Sequence, residues 1–483
     1  MNIKLETDKI INIIQNINTK INNFPYNDDI YEEFDNLIES SCYIIDDTIT
    51  NNPNELSNSK FNDTLKQYVI ELLTEQLKGV EEEDRLWYLL ENVYNTAYNI
   101  YFSNIMPPRS YPTTFIRKIP NKEKITDKIE YLKNKPQPEQ RTEEWYTRRY
   151  NMVTASNAWK ILDTQSNINS IIYEKCVPLD LSRHESLNTQ TAFHWGHKYE
   201  PLSVMYYEYT YKTKVEDYGC ITHDDYYFLG ASPDGINVDS SSYRYGRMLE
   251  IKNPVNRILD GNPKKEYWIQ TQLQMEVCNL NECDFLETIF KEYEDKEEFD
   301  DDGDFTFTES KKLKGIIMYF IEDGNYHYEY APLYIKKEEF EDWENDMMEK
   351  NKSKLWLKNI YWRLEEVSCV LVLRNKFWFK NSVDKIKNIW KTIEYEREHG
   401  YEHRAPVRRE KKIINNETDL STNKCLINVK QVSNIEENNN YDNVSIPDSQ
   451  IDKFKKIRTE SFDKVDKNKI LNMLNTPPSS QND

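Results

Sequence analysis

The chain has 483 residues, room for about three domains at ~150 residues each. Its 63 Lys+Arg against 83 Asp+Glu leave a net charge of −20, which excludes a histone-like coat and requires any contact with phosphates to come from a local basic channel. No apolar run approaches the ~20 residues of a membrane span, so no membrane partner is expected. The start, Met1 to Glu6, lacks the apolar centre of a secretion signal. Seven cysteines are scattered from Cys42 to Cys425 without a C-x-x-C pair, which predicts reduced thiols in a cytosol-like compartment. The excess of Asn, Ile and Lys is codon bias of an AT-rich genome and carries no chemistry. Glycine is different: of only 11, six fall between Gly196 and Gly261, marking a region of tight turns and close backbone approach.

In chain order, residues 1–105 read as a helical domain. Ile10, Ile13, Ile14, Ile17 and Ile21 form one stripe of helical spacing, Leu65, Val69, Leu72, Leu73 and Leu77 a second, and a third helix runs from about Asp84 through Leu89, Val93 and Tyr101. Prolines 107, 108, 112, 120, 136 and 138, interleaved with Arg109, Arg117, Lys118, Lys122 and Lys124, make 106–139 a Pro-rich basic linker or arm. Residues 140–355 then mix elements: helical segments near 143–162 and 195–210, β-rich runs around 226–232 and 246–252, and a helix at about 264–279. Strands are expected at Phe285–Phe290, Gly315–Ile321 and Tyr326–Tyr334, the last two flanking a turn at Glu322-Asp323-Gly324-Asn325. Between them the stretch 292–309 holds ten carboxylates and one lysine, an acidic insertion read as a solvated loop.

A helix at about 336–352 follows. The extension 356–400 is read as a strand pair, Glu366–Leu373 and Lys376–Lys380, and a helix at 383–397. Beyond 401 the polar, Asn-rich composition predicts a disordered tail to residue 483, with a basic start from Arg404 to Lys412.

Two short runs carry chemistry: Ser232-Pro233-Asp234-Gly235 and Leu249-Glu250-Ile251-Lys252. In a strand, Glu250 and Lys252 share one face while Ile251 packs behind them. With Asp234 from a neighbouring strand end, two carboxylates and the Ile251 carbonyl suit a hard divalent cation such as Mg²⁺. Lys252 beside that ion would orient or deprotonate a water and offset charge on a phosphorane-like transition state. Glu-x-Lys alone means little, since Glu294-Asp295-Lys296 and Glu410-Lys411-Lys412 also match. Neither has the preceding Ser-Pro-Asp-Gly or the following helix. The bland alternative is a half-exposed strand with a surface ion pair.

These runs resemble the PD-(D/E)xK nuclease core, in its lambda-exonuclease-like, YqaJ-type viral recombinase branch. The resemblance covers roughly 140–335 and adds, in order, Trp145-Tyr146-Thr147-Arg148-Arg149, Val153-Thr154-Ala155-Ser156, Trp195-Gly196-His197-Lys198-Tyr199-Glu200 and Tyr267-Trp268-Ile269-Gln270-Thr271-Gln272. The 356–398 segment is similar to versions from large DNA viruses. The fold it implies is an α/β (α+β) restriction-endonuclease-like core, a central mixed sheet flanked by helices.

The resemblance also implies roles. Asp234 and Glu250, with Ile251 through its carbonyl, would hold Mg²⁺ or Mn²⁺, and Glu200 would complete that set directly or through water. Lys252 would be the catalytic lysine, and Gln270 would orient the nucleophile or a ligand. Arg149, Ser156 and Ser232 match positions that hold a terminal 5′-phosphate, with Arg148 a competitor for Arg149. Asp224, or Asp225, matches a further acidic position. The expected activity is Mg²⁺-dependent hydrolysis of DNA, most simply 5′→3′ exonuclease action on duplex ends in viral recombination, replication or repair. The place of action would be the host cytoplasm or a viral factory, or the virion if the protein is packaged. Expected partners are double-stranded DNA ends, a single-strand annealing protein and other copies of the chain in a trimer. Two alternatives compete: a structure-specific or nicking endonuclease, and a DNA-binding virion protein with a vestigial centre. A zinc site at Cys176, His184, His194 and His197 is a weaker reading, because the His194-x-x-His197 pair straddles a helix start.

Overall fold

The computed structural model describes residues 28–77, 83–112, 121–140, 142–180, 191–322 and 324–406. The isoleucine stripe at 10–21, His184 and the tail beyond 406 lie outside the described residues. The chain is a mixed α/β protein, a central mixed sheet flanked by helices. No described helix is long and apolar enough to cross a membrane.

The described residues begin with three helices: α1 (Asp28–Asn51), α2 (Phe61–Gln76) and α3 (Glu83–Asn104). Leu65, Val69 and Leu73 of α2 and Leu90, Val93, Ala97 and Tyr101 of α3 are buried at three- and four-residue intervals, the spacing read from the sequence. They do not form a separate core. One continuous apolar cluster runs from these helices to Trp268, Val370 and Trp378.

The Pro-rich stretch is not an open arm. Its prolines lie at its two ends, and the proline-free middle forms α4 (Lys122–Asn134), started by Asn121, whose side chain accepts from Lys124 N. Before it, β1 (Tyr111–Pro112) joins the sheet edge-on. Arg109, expected on a basic arm, is buried and donates to the carbonyls of Leu56 and Pro263 and to Asn262 Oδ1. Burial lowers its pKa to about 10. It therefore ties the helical N-terminal part to the sheet region.

After α5 (Glu143–Tyr150) the expected long helix breaks. β2 (Val153–Thr154) pairs in parallel with β5 (Leu229–Ala231), because Val153 N and Ala155 N donate to the carbonyls of Phe228 and Gly230. A 3₁₀ turn follows at Ala158–Leu162, then α6 (Gln165–Cys176) and α7 (Ala192–Tyr211). The short strands β3 (Val215–Glu216) and β4 (Ile221–Thr222) come next; β4 completes a three-stranded sheet in the order β2-β5-β4.

The main sheet of the described residues has eight strands, in the order β10 (Asn325–Tyr330), β9 (Lys314–Glu322), β11 (Leu355–Leu373), β8 (Glu282–Glu292), β7 (Met248–Lys252), β6 (Gly235–Asn237) and β3, with β1 on β11. β6 (Gly235–Asn237) runs antiparallel to β7 (Met248–Lys252), and β7 runs parallel to β8 (Glu282–Glu292) through the crossover helix α8 (Lys265–Val277). Two glycines make this tight. A Cβ at Gly235 would lie 2.1 Å from Val215 Cγ1, so β3 and β6 meet only without one, and Gly246 turns the chain into β7 at φ +80°. Leu249 and Ile251 pack with Tyr207 of α7, while Met248 joins the cluster of α8. β7 is thus covered on both faces, and its even-numbered residues look toward α8.

The acidic insertion is a folded element. Its helix α9 (Lys296–Asp301) buries Phe299 with Tyr293, Ile316, Ala331 and Phe340. Two aspartates cap turns, Asp295 accepting from Glu298 N and Asp304 from Thr306 N and Phe307 N, and Asp302 accepts from Tyr293 OH at 2.7 Å. β9 (Lys314–Glu322) and β10 (Asn325–Tyr330) form the expected hairpin around Gly324, and α10 (Lys337–Lys350) follows. The final segment differs from expectation. Residues 355–373 are one strand, β11, lying between β8 and β9, and 376–380 is the first turn of α11 (Lys376–His399). Asn375 starts that helix by accepting from Trp378 N at 2.9 Å, and Trp378, Val383, Ile386, Trp390 and Ile393 form its buried stripe.

Candidate active site

The site lies where β6 and β7 meet α8. Because Gly235 pairs with Leu249, the residue before one and the residue after the other come together across the hairpin. Asp234 Oδ2 accepts from Ile251 N at 2.7 Å. Glu250, with no exposed surface, receives the Lys252 ammonium and Gln270 Nε2 on Oε1, the latter at 2.6 Å, and Gln274 Nε2 on Oε2 at 2.6 Å. Lys252 also lies over the Tyr267 ring, 5.1 Å from its centroid.

Electrostatics mark this corner. Burial first, then Glu250 and Glu200, push the Asp234 carboxyl well above the usual carboxylate range, although Lys252 and the Ile251 amide oppose the shift. Glu250 and Asp234 in turn hold the Lys252 ammonium above its ordinary value, outweighing the cost of its burial. Glu200 stands on the wall of the same cleft, one residue before Pro201 of α7. That proline has no N–H for the His197 carbonyl, so the helix ladder is interrupted beside the acidic residue.

The cleft has a volume of about 1160 Å³ and is lined by Trp145, Arg149, Glu200, Asp234, Lys252 and Tyr267 among others. Its other wall carries a linked polar set. Arg149 Nη2 donates to Ser156 Oγ at 3.3 Å, its guanidinium stacks on Trp145 at 4.2 Å, and Trp145 Nε1 donates to Ser232 Oγ at 3.3 Å. No carboxylate pairs with Arg149 among the described residues. Arg148 turns the other way, to the Pro136 carbonyl and Glu144. Lys175 stands behind Arg149, donating to its carbonyl at 2.6 Å, and burial lowers its ammonium to about 8.

Other expectations fare differently. Asp224 accepts from Tyr131 OH at 2.8 Å and pairs with Lys135 at 2.7 Å beside a separate small hollow, away from the cleft. Gln272, part of the glutamine pattern read from the sequence, faces β11, where it bonds the Leu373 carbonyl and Asn375 N. Gln274, not singled out by that pattern, touches Glu250 instead; its place four residues after Gln270 was the available signal. The zinc reading fails: His194 and His197 face the hydroxyls of Tyr328 and Tyr326, at 2.7 and 3.2 Å, and Cys176 Sγ approaches the Ile393 carbonyl.

Among the described residues no three His, Cys, Asp or Glu side chains stand close enough to hold an ion. The expected ligands are therefore neighbours but not a closed set, since Glu250 is turned into its contacts with Lys252, Gln270 and Gln274. Their chemistry nevertheless fits a hard cation. All are oxygen donors, and the Asp234 carboxyl is raised by burial and then by two neighbouring carboxylates, whose negative charge a divalent ion would offset.

The chain resembles known proteins over this region. Residues 144–281 match the YqaJ-like viral recombinase domain. The YqaJ-like region begins within α5 and ends just before β8, so it contains every residue of the cleft named above, from Trp145 to Gln274. The chain is 28% identical over 313 residues to an uncharacterized protein of Acanthamoeba polyphaga mimivirus, a match that spans 56% of each chain. It thus covers little more than half of the curated relative. Among solved structures it is similar to an alkaline exonuclease from Laribacter hongkongensis at 19% identity, with a TM-score of 0.33, over 53% of this chain and 95% of that one. The same enzyme in complex with dAMP matches at 19% identity with a TM-score of 0.32.

Proposed function

We propose that this protein is a metal-dependent deoxyribonuclease that degrades duplex DNA from a 5′-phosphorylated end, in the recombination or repair of viral DNA. The observation that carries the reading is one cleft with an acidic, lysine-bearing corner at Asp234, Glu250 and Lys252 and an arginine, Arg149, that pairs with no carboxylate among the described residues, linked through Trp145 and Ser232. The YqaJ-like region supports the same substrate class.

Asp234, Glu250, the Ile251 carbonyl and Glu200 would hold Mg²⁺ or Mn²⁺, which when bound supplies Lewis acidity and an acidified water. The chain's own residues do the rest. Lys252, its proton held by the two carboxylates, places positive charge where the phosphorane-like transition state gains negative charge. Gln270 fixes one oxygen of Glu250. Arg149 offers a planar, two-pronged donor to a terminal phosphate, with Ser156 and Ser232 beside it. The stack on Trp145 keeps that fork in one orientation.

The deciding assay uses 5′-phosphorylated linear duplex with Mg²⁺ or EDTA. The full chain should release nucleotides from the linear substrate in Mg²⁺ only and leave a closed circle intact. Activity in EDTA overturns the mechanism, and cutting of the circle overturns dependence on an end.

A further inference from the structure

The pattern of glutamines on α8 divides in a way that the sequence motif does not announce. Gln270 and Gln274 are four residues apart and reach the two oxygens of the same carboxylate, each at 2.6 Å. Gln272, between them, points to the opposite side and holds the backbone at the start of α11. An amide N–H can only donate, so both contacts require Glu250 to be an acceptor on both oxygens. Gln274 is 1% exposed, its Nε2 also approaches the Ser232 carbonyl at 3.5 Å, and its Oε1 is a buried acceptor without a hydrogen-bond partner. A buried amide so placed has a single polar neighbourhood to serve, that of Glu250.

We propose that Gln274 is a positioning residue: with Gln270 it forms a two-armed clamp that presents the Glu250 carboxylate, and its free carbonyl oxygen accepts from water held in the same site. The proposal rests on the nuclease reading and deepens it. Two donors fix the rotamer of Glu250, whereas Gln270 alone would leave Oε2 to rotate toward Lys252. Partners that orient a ligand of this kind typically change metal affinity or activity by about 10–100-fold.

The test compares full-length wild type with Gln274→Met, close in shape but without the amide, and with Gln272→Met. The probe is Mn²⁺ alone, followed by the loss of its free-ion electron paramagnetic resonance signal, together with kcat and KM on a duplex end. Expected for Gln274→Met are Mn²⁺ binding about 10–100-fold weaker and a fall in kcat with KM little changed. Gln272→Met should lower thermal stability and leave Mn²⁺ affinity alone. If Gln274→Met does not fold, Gln274→Asn keeps an amide too short to reach Glu250 and serves the same comparison. A folded variant with wild-type Mn²⁺ affinity and kcat overturns the clamp while cleavage by the wild type leaves the nuclease reading standing. A wild type that neither binds Mn²⁺ nor cleaves overturns both.

Discussion

The strands β7 and β8 carry buried charge at both ends, and the two ends are built differently. At one end Arg244 and Arg247 meet Asp284 and Glu282, two cations for two anions, with side chains at most 8% exposed. Tyr207 donates to Asp284 at 2.6 Å and Asn237 donates to Tyr207, so the cluster is closed by neutral hydrogen bonds. At the other end Asp234 and Glu250 hold Lys252, Glu200 adds its charge to Asp234, and Asp234, Lys252 and Glu200 line an open cleft. A balanced, closed cluster stabilises a unique packing. An acidic, open one would lower its energy by taking up a cation from outside, which is the property that the proposed metal-dependent activity needs.

The strongest way to break this comparison is at the closed end. Asp284→Ala leaves Arg244 buried without its partner and should cost about 3–5 kcal/mol. Denaturant unfolding measures that loss, and the specific activity of the remaining folded protein should be unchanged. Next comes the open end: Lys252→Ala should lower the rate with Mg²⁺ by about 10²–10³-fold and, because it leaves the buried Glu250 without its cation, lower the melting temperature as well. An equal rate in the mutant would make both ends structural. Smaller again is Arg149→Lys, which keeps the charge and loses the fork. Its preference for 5′-phosphate over 5′-hydroxyl ends should fall about 10–100-fold, from the ~1.5–3 kcal/mol of a charged hydrogen bond.

The smallest effect sharpens the boundary between the two ends. Glu287, next to Lys252 in the β7–β8 register, is buried on the cleft wall and paired with Arg257. Burial raises its carboxyl to about 7, with Arg257 opposing. Since the folded state keeps a proton that the unfolded chain has released, its contribution is fully present below about pH 4.3 and is lost as the pH rises to about 7, by at most ~1.4 kcal/mol per pH unit. Glu287→Gln should flatten the stability profile over that window. Urea midpoints at pH 5, 6 and 7 that fall as steeply in the mutant as in wild type would refute this.

How much of this was legible in the sequence depends on how local the signal was. The alternation in Leu249-Glu250-Ile251-Lys252 needs only the period of a strand, and the structure places Ile251 behind the site as expected. The helix at 122–134 escaped because prolines on either side dominated the reading of a segment that has none inside. β11 was read as beginning at 366 because its first residues, 355–358, are exposed and acquire strand geometry only by pairing with β9. Phe299 could not be told from a loop residue among ten carboxylates until Phe340, far along the chain, was seen to cover it. Likewise Arg148 and Arg149 are equivalent on paper, and helix phase alone decides that Arg149 faces Ser156.

The amino-acid sequence by itself determined which groups meet around the cleft: an aspartate after proline, a glutamate and a lysine two residues apart, an arginine at a helix end, and glycines where strands must touch. These follow from residue chemistry and from the short periods of helix and strand. Tertiary structure alone decided that Gln274 and not Gln272 serves Glu250, that Asp224 is absent from the cleft, that Arg109 is a buried tie, and that 355–373 lies between β8 and β9. Such choices depend on contacts between residues as far apart as Arg109 and Pro263, 154 positions along the chain, and no local pattern encodes the direction from which a distant element will arrive.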